Sequence, residues 1–410
     1  MLSSRGARLA ALPCPEKTVV GEYNKNPFSK QNHNGIVSLA WADNRLSDDI
    51  ILEKLKRIDF SDPESHILSY PVLGANDVTR TSVANFVKRY HKSKFDVQPQ
   101  NITCFTGVQT AHDAVAHAIA DQGDYILCPS PFYYRIPNDF GERAGVNVHP
   151  VPMRKTTNQR FTPVVEDFEL ALKCLTEQGK CVRAVLVVNP NNPLGIFFEE
   201  QEILPILQFA ASHDIYAIVN ESYSLSVFNG HFDSVLSFWD KVPNPQNTIW
   251  LWGMSKTFAL PGLRFGVALT PNTQLSGALE RLEFLQLNGI TQSIATQILT
   301  DFAWIDQCYL PINISRLSDA FTFTKSRLDS INIPFVGGQA GFFVTLDLRK
   351  HLASADPDGE TALYERLRRG GLFLNRSYCA ESGWLRLVFT GDRLELAEGL
   401  NRLEQLLARR

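Results

Sequence analysis

The sequence predicts an α/β protein, with a mostly parallel central sheet in a large domain and a smaller α+β domain after it in the chain. Two observations carry this prediction. From about residue 80 to 270, short β-rich runs alternate with helical stretches, as in sheets built from βαβ units. Several of these runs are almost entirely apolar, as expected of strands covered on both faces.

The predicted elements follow in chain order. Residues 1–45 are rich in Asn, Pro and Ser and are expected to form an irregular arm, after which Asp48–Ile58 has a helical pattern. Seven runs are then predicted to be the strands of the large domain: Ile102–Thr106, Tyr125–Pro129, Val146–Val151, Ala184–Val188, Tyr216–Asn220, Thr248–Trp252 and Phe265–Thr270.

After residue 290 the pattern changes to helical stretches and short strands. The strand candidates there are Gly341–Leu348, Gly371–Leu374 and Trp384–Phe389. A closing helix carries one apolar stripe at helical spacing, formed by Leu396, Leu400, Leu403 and Leu407. We expect residues 1–60 to form the arm and part of the small domain, residues 61–295 the large domain, and residues 296–410 the small C-terminal domain.

Charge and composition favour a small-molecule ligand. Forty basic against 43 acidic side chains give a formal charge of −3, so the chain has no basic field for nucleic acid or an anionic membrane. No run approaches the ~18 apolar residues of a membrane span, and residues 1–13 lack the apolar core of a signal peptide. Seven scattered cysteines without a C-x-x-C pair indicate a reducing compartment. A cytoplasmic protein without a metal site is expected.

Two segments follow predicted strands in the manner of ligand-binding turns. Phe105–Thr110 turns through Gly107 into the helical stretch 111–120, and a helix N-terminus suits a phosphate group. Pro129–Tyr134 places Tyr133 just past a strand end, where its ring could stack on a flat heteroaromatic ligand. Each has a plainer interpretation, an ordinary βα turn for the first and aromatic packing between domains for the second.

Two further segments are more specific. Asn189–Gly195 contains two Asn-Pro steps, which fix a turned backbone and free an Asn amide to donate a hydrogen bond. Ser255–Gly266 holds Lys256 between two apolar strands, where burial disfavours the ammonium form and leaves an amine able to form a Schiff base. Arg264, eight residues further on, offers a planar fork for phosphate.

Together, these segments resemble the class I aminotransferase family of fold-type-I pyridoxal phosphate (PLP) enzymes, and most closely its aminocyclopropane-carboxylate synthase branch. The likeness covers nearly the whole chain, from Asn34–Leu46 to Gly383–Leu387. It implies the fold of a PLP-dependent transferase, the cofactor pyridoxal 5'-phosphate, an amino-acid-like substrate and a homodimer with shared active sites.

The resemblance also implies roles for individual residues. Lys256 and Tyr223 are the expected catalytic residues, Lys256 being the Schiff-base lysine and proton shuttle. Arg386 would pair with the substrate α-carboxylate, beside Ala42 and Asp43. Tyr70 would reach the phosphate of the neighbouring subunit, although a tyrosine buried in the core is the equal alternative. Asn189 and Tyr223 would hydrogen-bond the ring 3-oxygen of the cofactor, and Tyr133 would stack on its ring. The remaining cofactor contacts would come from Asn220 at the ring nitrogen and, at the phosphate, from the backbone amides of Gly107, Val108 and Gln109 with Ser255 and Arg264.

Asn220 is the informative departure from the family. It stands where the family carries an Asp facing the pyridine nitrogen, and a carboxylate there favours the protonated, electron-withdrawing ring. An amide has no such charge and can donate to a neutral nitrogen instead. Gly253 and Gln109 also replace polar phosphate-site residues, and Asp43 is shorter than the Glu of the synthases. The alternative interpretation of the Asn220 departure is neutral drift or a changed hydrogen-bond network.

These features predict a PLP-dependent carbon–sulfur lyase that eliminates a sulfur leaving group from an amino-acid-like substrate. The synthase branch resembles lyases of fungal sulfur-containing secondary metabolism, and its own chemistry removes a sulfur group. The alternatives are an aminotransferase, an aminocyclopropane-carboxylate synthase acting on S-adenosylmethionine, and a PLP-fold binding protein without catalysis. Lys256, Arg264, Tyr223 and Arg386 together argue against the last.

Overall fold

A computed structural model describes the chain except for residues 62–66, 69, 71–73, 156–159, 285, 378, 380 and 409–410. The strands of the described residues are numbered in chain order. They are β1 Val37–Ser38, β2 Ile102–Phe105, β3 Tyr125–Ser130, β4 Asn147–Pro152, β5 Arg154–Lys155, β6 Phe161–Thr162, β7 Val182–Val188, β8 Tyr216–Asn220, β9 Thr248–Gly253, β10 Gly266–Leu269, β11 Phe335–Gly337, β12 Phe343–Asp347, β13 Leu372–Phe373, β14 Asn375–Arg376 and β15 Trp384–Val388.

The α-helices are numbered in the same way. They are α1 Ser4–Ala11, α2 Pro15–Lys25, α3 Asp48–Leu55, α4 Asp77–Tyr90, α5 Val108–Ile119, α6 Ile136–Gly141, α7 Val165–Glu177, α8 Glu200–Ser212, α9 Met254–Thr257, α10 Thr273–Glu283, α11 Gly289–Thr300, α12 Phe302–Trp304, α13 Leu310–Ser330, α14 Pro357–Arg369 and α15 Arg393–Ala408. In the part of the chain that is described, no helix is both long enough and apolar enough to cross a membrane.

All seven strands predicted for the large domain lie in one sheet, in the order β2-β10-β9-β8-β7-β3-β4. Neighbouring strands are parallel, except that β10 runs antiparallel to both β2 and β9. The predicted mostly parallel α/β architecture is therefore confirmed. Since six strands run the same way, their carboxyl ends meet at one edge, which is where open sheets of this kind bind ligands.

A second sheet forms from the last part of the chain, in the order β11-β12-β15-β14. Its strands are antiparallel, and the predicted apolar stripe of α15 packs into the core beside it. The predicted strand at 371–374 lies elsewhere, because β13 pairs in parallel with β1 from the N-terminal region. Val37 and Leu39 share the same core. The two ends of the chain therefore fold together, and the predicted domain boundaries stay a prediction.

The N-terminal arm is more regular than its composition indicates. Residues 1–45 contain the helices α1 and α2 instead of irregular chain only. The hydroxyl of Ser3 caps α1 by accepting a hydrogen bond from the backbone of Gly6 at 3.2 Å, a typical start signal. α1 is eight residues long and buries none of them, and a helix this short gives little periodic signal in the sequence. Tyr23 of α2 packs edge-on against Trp41 at 4.8 Å.

Candidate active site

A cavity of about 280 Å³ lies at the carboxyl edge of the large sheet, between that sheet, residues 40–43 and the second sheet. Most of the predicted site residues line it. They are Ala42, Asp43, Val108, Gln109, Tyr133, Asn220, Tyr223, Ser255, Lys256, Arg264 and Arg386. Three side chains or backbone positions that the sequence predicts at the site are not part of this lining, namely Tyr70, Gly107 and Asn189.

Lys256 lies on α9, directly after β9, and its amino group donates a hydrogen bond to the carbonyl oxygen of Ala42 at 2.5 Å. Burial lowers the pKa of this amine to about 8; Asp43 opposes that shift, and the positive charges of Arg386 and Arg264 add to it. The lysine therefore has a substantial neutral fraction near physiological pH. This is the form that attacks an aldehyde or takes up a proton.

The connection from β9 to β10 brings Arg264 back toward the start of α5. Gly253 and Gly266 pair across these antiparallel strands, so the loop between them closes on itself. The guanidinium of Arg264 donates to the carbonyl oxygens of Pro261 and Thr106, both at 3.1 Å. It therefore lies where the backbone turns into α5.

Gly107 makes this close approach possible. Its φ is +95°, and a Cβ at this position would lie 2.2 Å from Nη2 of Arg264. Ser255, Val108 and Gln109 line the same wall of the cavity. The guanidinium, a hydroxyl group and the free N–H groups of a helix N-terminus make a cradle suited to a phosphate.

Gly253 is also required by packing. A Cβ there would lie 2.9 Å from both the carbonyl oxygen of Phe265 and Cγ2 of Val108. A polar side chain of the kind found in the synthases would not fit without a backbone shift. The departure at this position therefore has a local steric reason.

The structure corrects the prediction for Asn189. Its side-chain amide donates to the carbonyl oxygen of Phe198 at 3.0 Å and accepts from the Phe198 backbone N–H at 2.8 Å, so both ends are occupied away from the cavity. Asn192, three residues later in the same Asn-Pro segment, lines the cavity instead. Two Asn-Pro steps stand in this segment, and only the path of the backbone decides which amide faces the site.

Arg386 of β15 closes the opposite wall. It is 3% exposed and donates to Oδ1 of Asn192 at 2.8 Å and to the carbonyl oxygen of Ala40 at 2.7 Å. Its Nε has no partner among the described residues. A buried guanidinium with an N–H to spare favours an anionic ligand, because an unpaired buried charge is costly.

Tyr133 and Tyr223 supply two of the aromatic surfaces of the cavity. Burial raises the pKa of the Tyr133 and Tyr223 hydroxyls well above the usual value, so both stay protonated and can donate. Tyr223 is 4% exposed and meets Phe342 and Phe343 edge-on, with ring centroids 5.4 and 5.3 Å away. Its orientation is therefore fixed by packing.

Asn220 is the last residue of β8, and its side chain is hydrogen-bonded to residues that the sequence does not predict at the site. Its Oδ1 accepts hydrogen bonds from the backbone N–H of Ser222 at 3.1 Å and from the Ser222 hydroxyl at 2.6 Å. Its Nδ2 lies 3.1 Å from Nε2 of His112, and Nδ1 of His112 lies 3.2 Å from a carboxylate oxygen of Asp139. The sequence gives no signal for this network, although His112 lies just one turn into α5, the helix predicted after Gly107.

Tyr70 is 92% exposed in the single chain. The core alternative for this residue is therefore wrong. A side chain so exposed is available to a second subunit, as the other predicted role requires. That role stays a prediction.

The lining of the cavity fits pyridoxal phosphate. The amine of Lys256 suits its aldehyde, the cradle around Arg264 suits its phosphate, and the phenol rings suit its flat pyridine. The fit rests on the chemistry of these donors and on a turn at Gly107 that a Cβ would fill. Arg386 remains available for the carboxylate of a substrate.

Comparison with known proteins agrees with this geometry. Residues 39–403 match the family described as aminotransferase class I and II. The 1-aminocyclopropane-1-carboxylate synthase-like protein 1 of Bos taurus is 32% identical, over 99% of this chain and 83% of its own length. A probable inactive 1-aminocyclopropane-1-carboxylate synthase-like protein 2 of Mus musculus is also 32% identical, over 94% and 68%. An archaeal alanine:glyoxylate aminotransferase structure, 21% identical, has a similar fold, with a TM-score of 0.81 over 100% of this chain and 98% of that one.

Proposed function

This chain belongs to the class I and II aminotransferase family, which depends on pyridoxal phosphate, and we propose that it is a lyase acting in secondary metabolism. In this proposal it cleaves a carbon–sulfur bond in an amino-acid-like substrate and releases a thiol. The cytoplasm is the proposed location, and the free state of all seven cysteines supports it.

The amide at Asn220 is the observation that carries the proposal. Bound pyridoxal phosphate withdraws electrons from the substrate α-carbon, most strongly when its ring nitrogen is protonated. An amide has no negative charge to hold that proton. Transfer of an amino group needs the charge at the α-carbon to persist until a proton returns at a different carbon. Loss of a good leaving group uses the charge at once, so a weaker electron sink favours elimination.

We assign the cofactor contacts from the lining of the cavity. Arg264, Ser255 and the backbone amides of residues 107–109 would hold the phosphate, and Tyr133 would cover the ring. Asn192 takes the place first predicted for Asn189, beside Tyr223, at the ring oxygen. Lys256 would carry the covalent attachment.

The protein residues then have distinct tasks in the reaction. Arg386 binds the substrate α-carboxylate, which orients the α-carbon–hydrogen bond toward Lys256. The amine of Lys256, which would be freed when the substrate amino group displaces it from the cofactor, takes that proton. The electron pair left behind forms a double bond to the β-carbon as the β-carbon–sulfur bond breaks, and the departing thiolate takes up the proton that Lys256 now holds. After release, the enamine product hydrolyses to a keto acid and ammonia.

The test is to incubate purified holoenzyme with a panel of cysteine conjugates and to measure thiol and ammonia together. Equal amounts of both are expected, and none from Lys256→Ala protein prepared in the same way. Lys54→Ala, which removes an amine outside the cavity, is the matched control and should retain the activity. Holoenzyme that releases no thiol or ammonia from any conjugate would overturn the proposal.

A second candidate is formation of aminocyclopropane-carboxylate from S-adenosylmethionine. The names of the similar synthase-like proteins support it, as does the carboxylate of Asp43 in the cavity, which suits a cationic substrate group. Release of methylthioadenosine would favour this reaction over the lyase. Accumulation of pyridoxamine phosphate with a simple amino acid would favour an aminotransferase.

We also propose a homodimer in which Tyr70 reaches the site of the neighbouring subunit. The exposure of Tyr70 supports this, together with several other large apolar side chains that are exposed in the single chain. They are Leu52, Leu68, Phe284 and Ile290.

A further inference from the structure

We propose that His112 and Asp139 are positioning residues that hold the amide of Asn220 in one orientation, with one N–H directed to His112 and the other available to the cavity. The protein would then meet the cofactor's ring nitrogen as a hydrogen-bond donor and bind the unprotonated ring. The inference depends on the family cofactor and not on which bond of the substrate is broken.

The orientation of the amide follows from Ser222. A backbone N–H can only donate, and that of Ser222 lies 3.1 Å from one terminal atom of the Asn220 side chain. That atom must be the oxygen. The Ser222 hydroxyl donates to the same oxygen at 2.6 Å. A flipped amide would lose the hydrogen bond from the Ser222 backbone and place N–H groups against each other there.

The tautomer of His112 follows from the amide. The nitrogen of Asn220 can only donate, so Nε2 of His112, 3.1 Å away, must be the acceptor and carry no proton. The single proton of the neutral ring is then on Nδ1, which donates to Asp139 at 3.2 Å. A carboxylate can only accept. The hydrogen bonds therefore run in one direction, with Asn220 donating to His112 and His112 donating to Asp139.

The network is held rigidly enough to keep this direction. His112 is 4% exposed and Asp139 is 9% exposed. The His112 ring packs on Phe140 at a centroid distance of 5.0 Å, and the other oxygen of Asp139 accepts from the amide of Gln109 at 3.3 Å. Gln109, which departs from the synthase pattern, is thereby tied to the same carboxylate.

One donor remains for the ligand. The second N–H of Nδ2 of Asn220 has no acceptor in the described part of the chain, and the side chain lines the cavity. A ring nitrogen without a proton can accept from this N–H. A protonated ring nitrogen would bring N–H against N–H, because residue 220 is an amide and offers no carboxylate to accept that proton.

The network also predicts what Asn220→Asp does. The new carboxylate would face the bare Nε2 of His112, which leaves two acceptors without a proton between them. His112 would take up a proton from solvent and lie as an imidazolium between two carboxylates. The substitution would thus add a proton at His112 as well as an acceptor toward the ring nitrogen.

Nitrogen NMR tests the proposal in two ways. In protein labelled with ¹⁵N at its histidines, the His112 signals should indicate a bare Nε2 and a protonated Nδ1, and both nitrogens should be protonated in Asn220→Asp. Spectra of His112→Gln assign these signals, and His231→Gln, at an exposed histidine, is the matched control. A wild-type His112 with its proton on Nε2 would overturn the proposal.

The second measurement uses holoenzyme loaded with ring-¹⁵N pyridoxal phosphate, which removes the need for a folded His112 variant. The ring nitrogen should be unprotonated in wild-type protein and protonated in Asn220→Asp. A protonated ring in the wild type would overturn the proposal. Neither spectrum involves substrate, so an enzyme that transfers amino groups would contradict the lyase proposal while leaving this one intact.

Discussion

The amino nitrogen of Lys256 lies 2.5 Å from the carbonyl oxygen of Ala42. This hydrogen bond joins the end of β9 to the segment that enters the site from the N-terminal region. This hydrogen bond holds the amine of Lys256, and burial lowers the pKa of that amine to about 8. If Lys256 attaches the cofactor as proposed, its protonation state sets the pH range in which the protein can capture that cofactor.

Cofactor capture by apo-protein should accelerate as pH rises through about 8, because only the neutral amine of Lys256 attacks an aldehyde. Below that pH the rate should fall about tenfold per unit. Stopped-flow absorbance between pH 6 and 9.5 measures this. Asp43→Asn removes a charge that favours the ammonium form, so its midpoint should move to lower pH. A flat profile in the wild type would contradict the assignment.

Arg386→Lys should raise KM for carboxylate-bearing substrates by about 10- to 100-fold, because a charged hydrogen bond contributes about 1.5–3 kcal/mol. A lysine loses the planar fork that reaches Asn192 and Ala40. Steady-state kinetics with the best substrate measures the effect. Arg45→Lys, the same exchange at an exposed position, should behave as wild type. An unchanged KM would remove Arg386 from the carboxylate site.

Asn220→Asp should increase amino-group transfer relative to elimination, because a carboxylate supports the protonated and more electron-withdrawing ring. The measurement is the ratio of pyridoxamine phosphate to thiol after a fixed number of turnovers. Asn147→Asp, at an exposed position, is the matched control. An unchanged product ratio would show that residue 220 does not control the balance between amino-group transfer and elimination.

Glu221 should make the protein less stable as pH rises from about 4.5 to 7. Its carboxyl group is fully buried and bonded to Ser234, Val235 and Trp250, and burial raises its pKa to about 7. The folded state then binds the proton more tightly than the unfolded state. Unfolding free energy should fall across this window by up to about 3 kcal/mol.

Urea denaturation at several pH values measures this effect as the difference between wild type and Glu221→Gln, which keeps the shape and loses the titration. The difference should be constant below about pH 4.5 and above pH 7 and should change between them. Glu53→Gln, at an exposed position, is the control. Parallel stability curves for wild type and Glu221→Gln would contradict the prediction.

Tyr70 should act in the site of the other subunit. Mixing Lys256→Ala with Tyr70→Phe protein should produce heterodimers with one complete site, formed by Lys256 of one subunit and Tyr70 of the other. Cofactor affinity at that site should return to the wild-type value, although each parent is defective. No recovery in heterodimers purified by two tags would indicate that Tyr70 acts within its own chain.

The strands of the large sheet are predictable because each is a short apolar run bounded by turn residues. β8 begins and ends where the pattern indicates, at Tyr216 and Asn220, and β9 is one residue longer than predicted. The direction of β10 is not predictable in this way, since antiparallel pairing leaves no mark on an apolar run that is covered on both faces.

The site is predictable where a residue type carries its own chemistry. Lys256 follows this rule, because an amine between apolar strands is costly to bury and is seldom placed there for packing alone. Arg264 is exposed in the single chain, and its planar guanidinium suits a phosphate. Asn192, His112 and Asp139 do not follow the rule, because each is an ordinary polar residue until the fold brings it to the cavity. The exchange of Asn189 for Asn192 illustrates the limit, since both precede a proline and both are buried.

The pairing of Gly253 with Gly266 has a consequence for how such a site can diversify. The amine proposed to attach the cofactor and the guanidinium proposed to anchor it are carried by one loop, residues 254–265, and both ends of that loop are fixed in the same ladder. An insertion or deletion there would disturb attachment and anchoring at once. New substrate ranges must therefore arise on other segments, such as residues 40–43 and Tyr134, which line the cavity without holding that loop's ends.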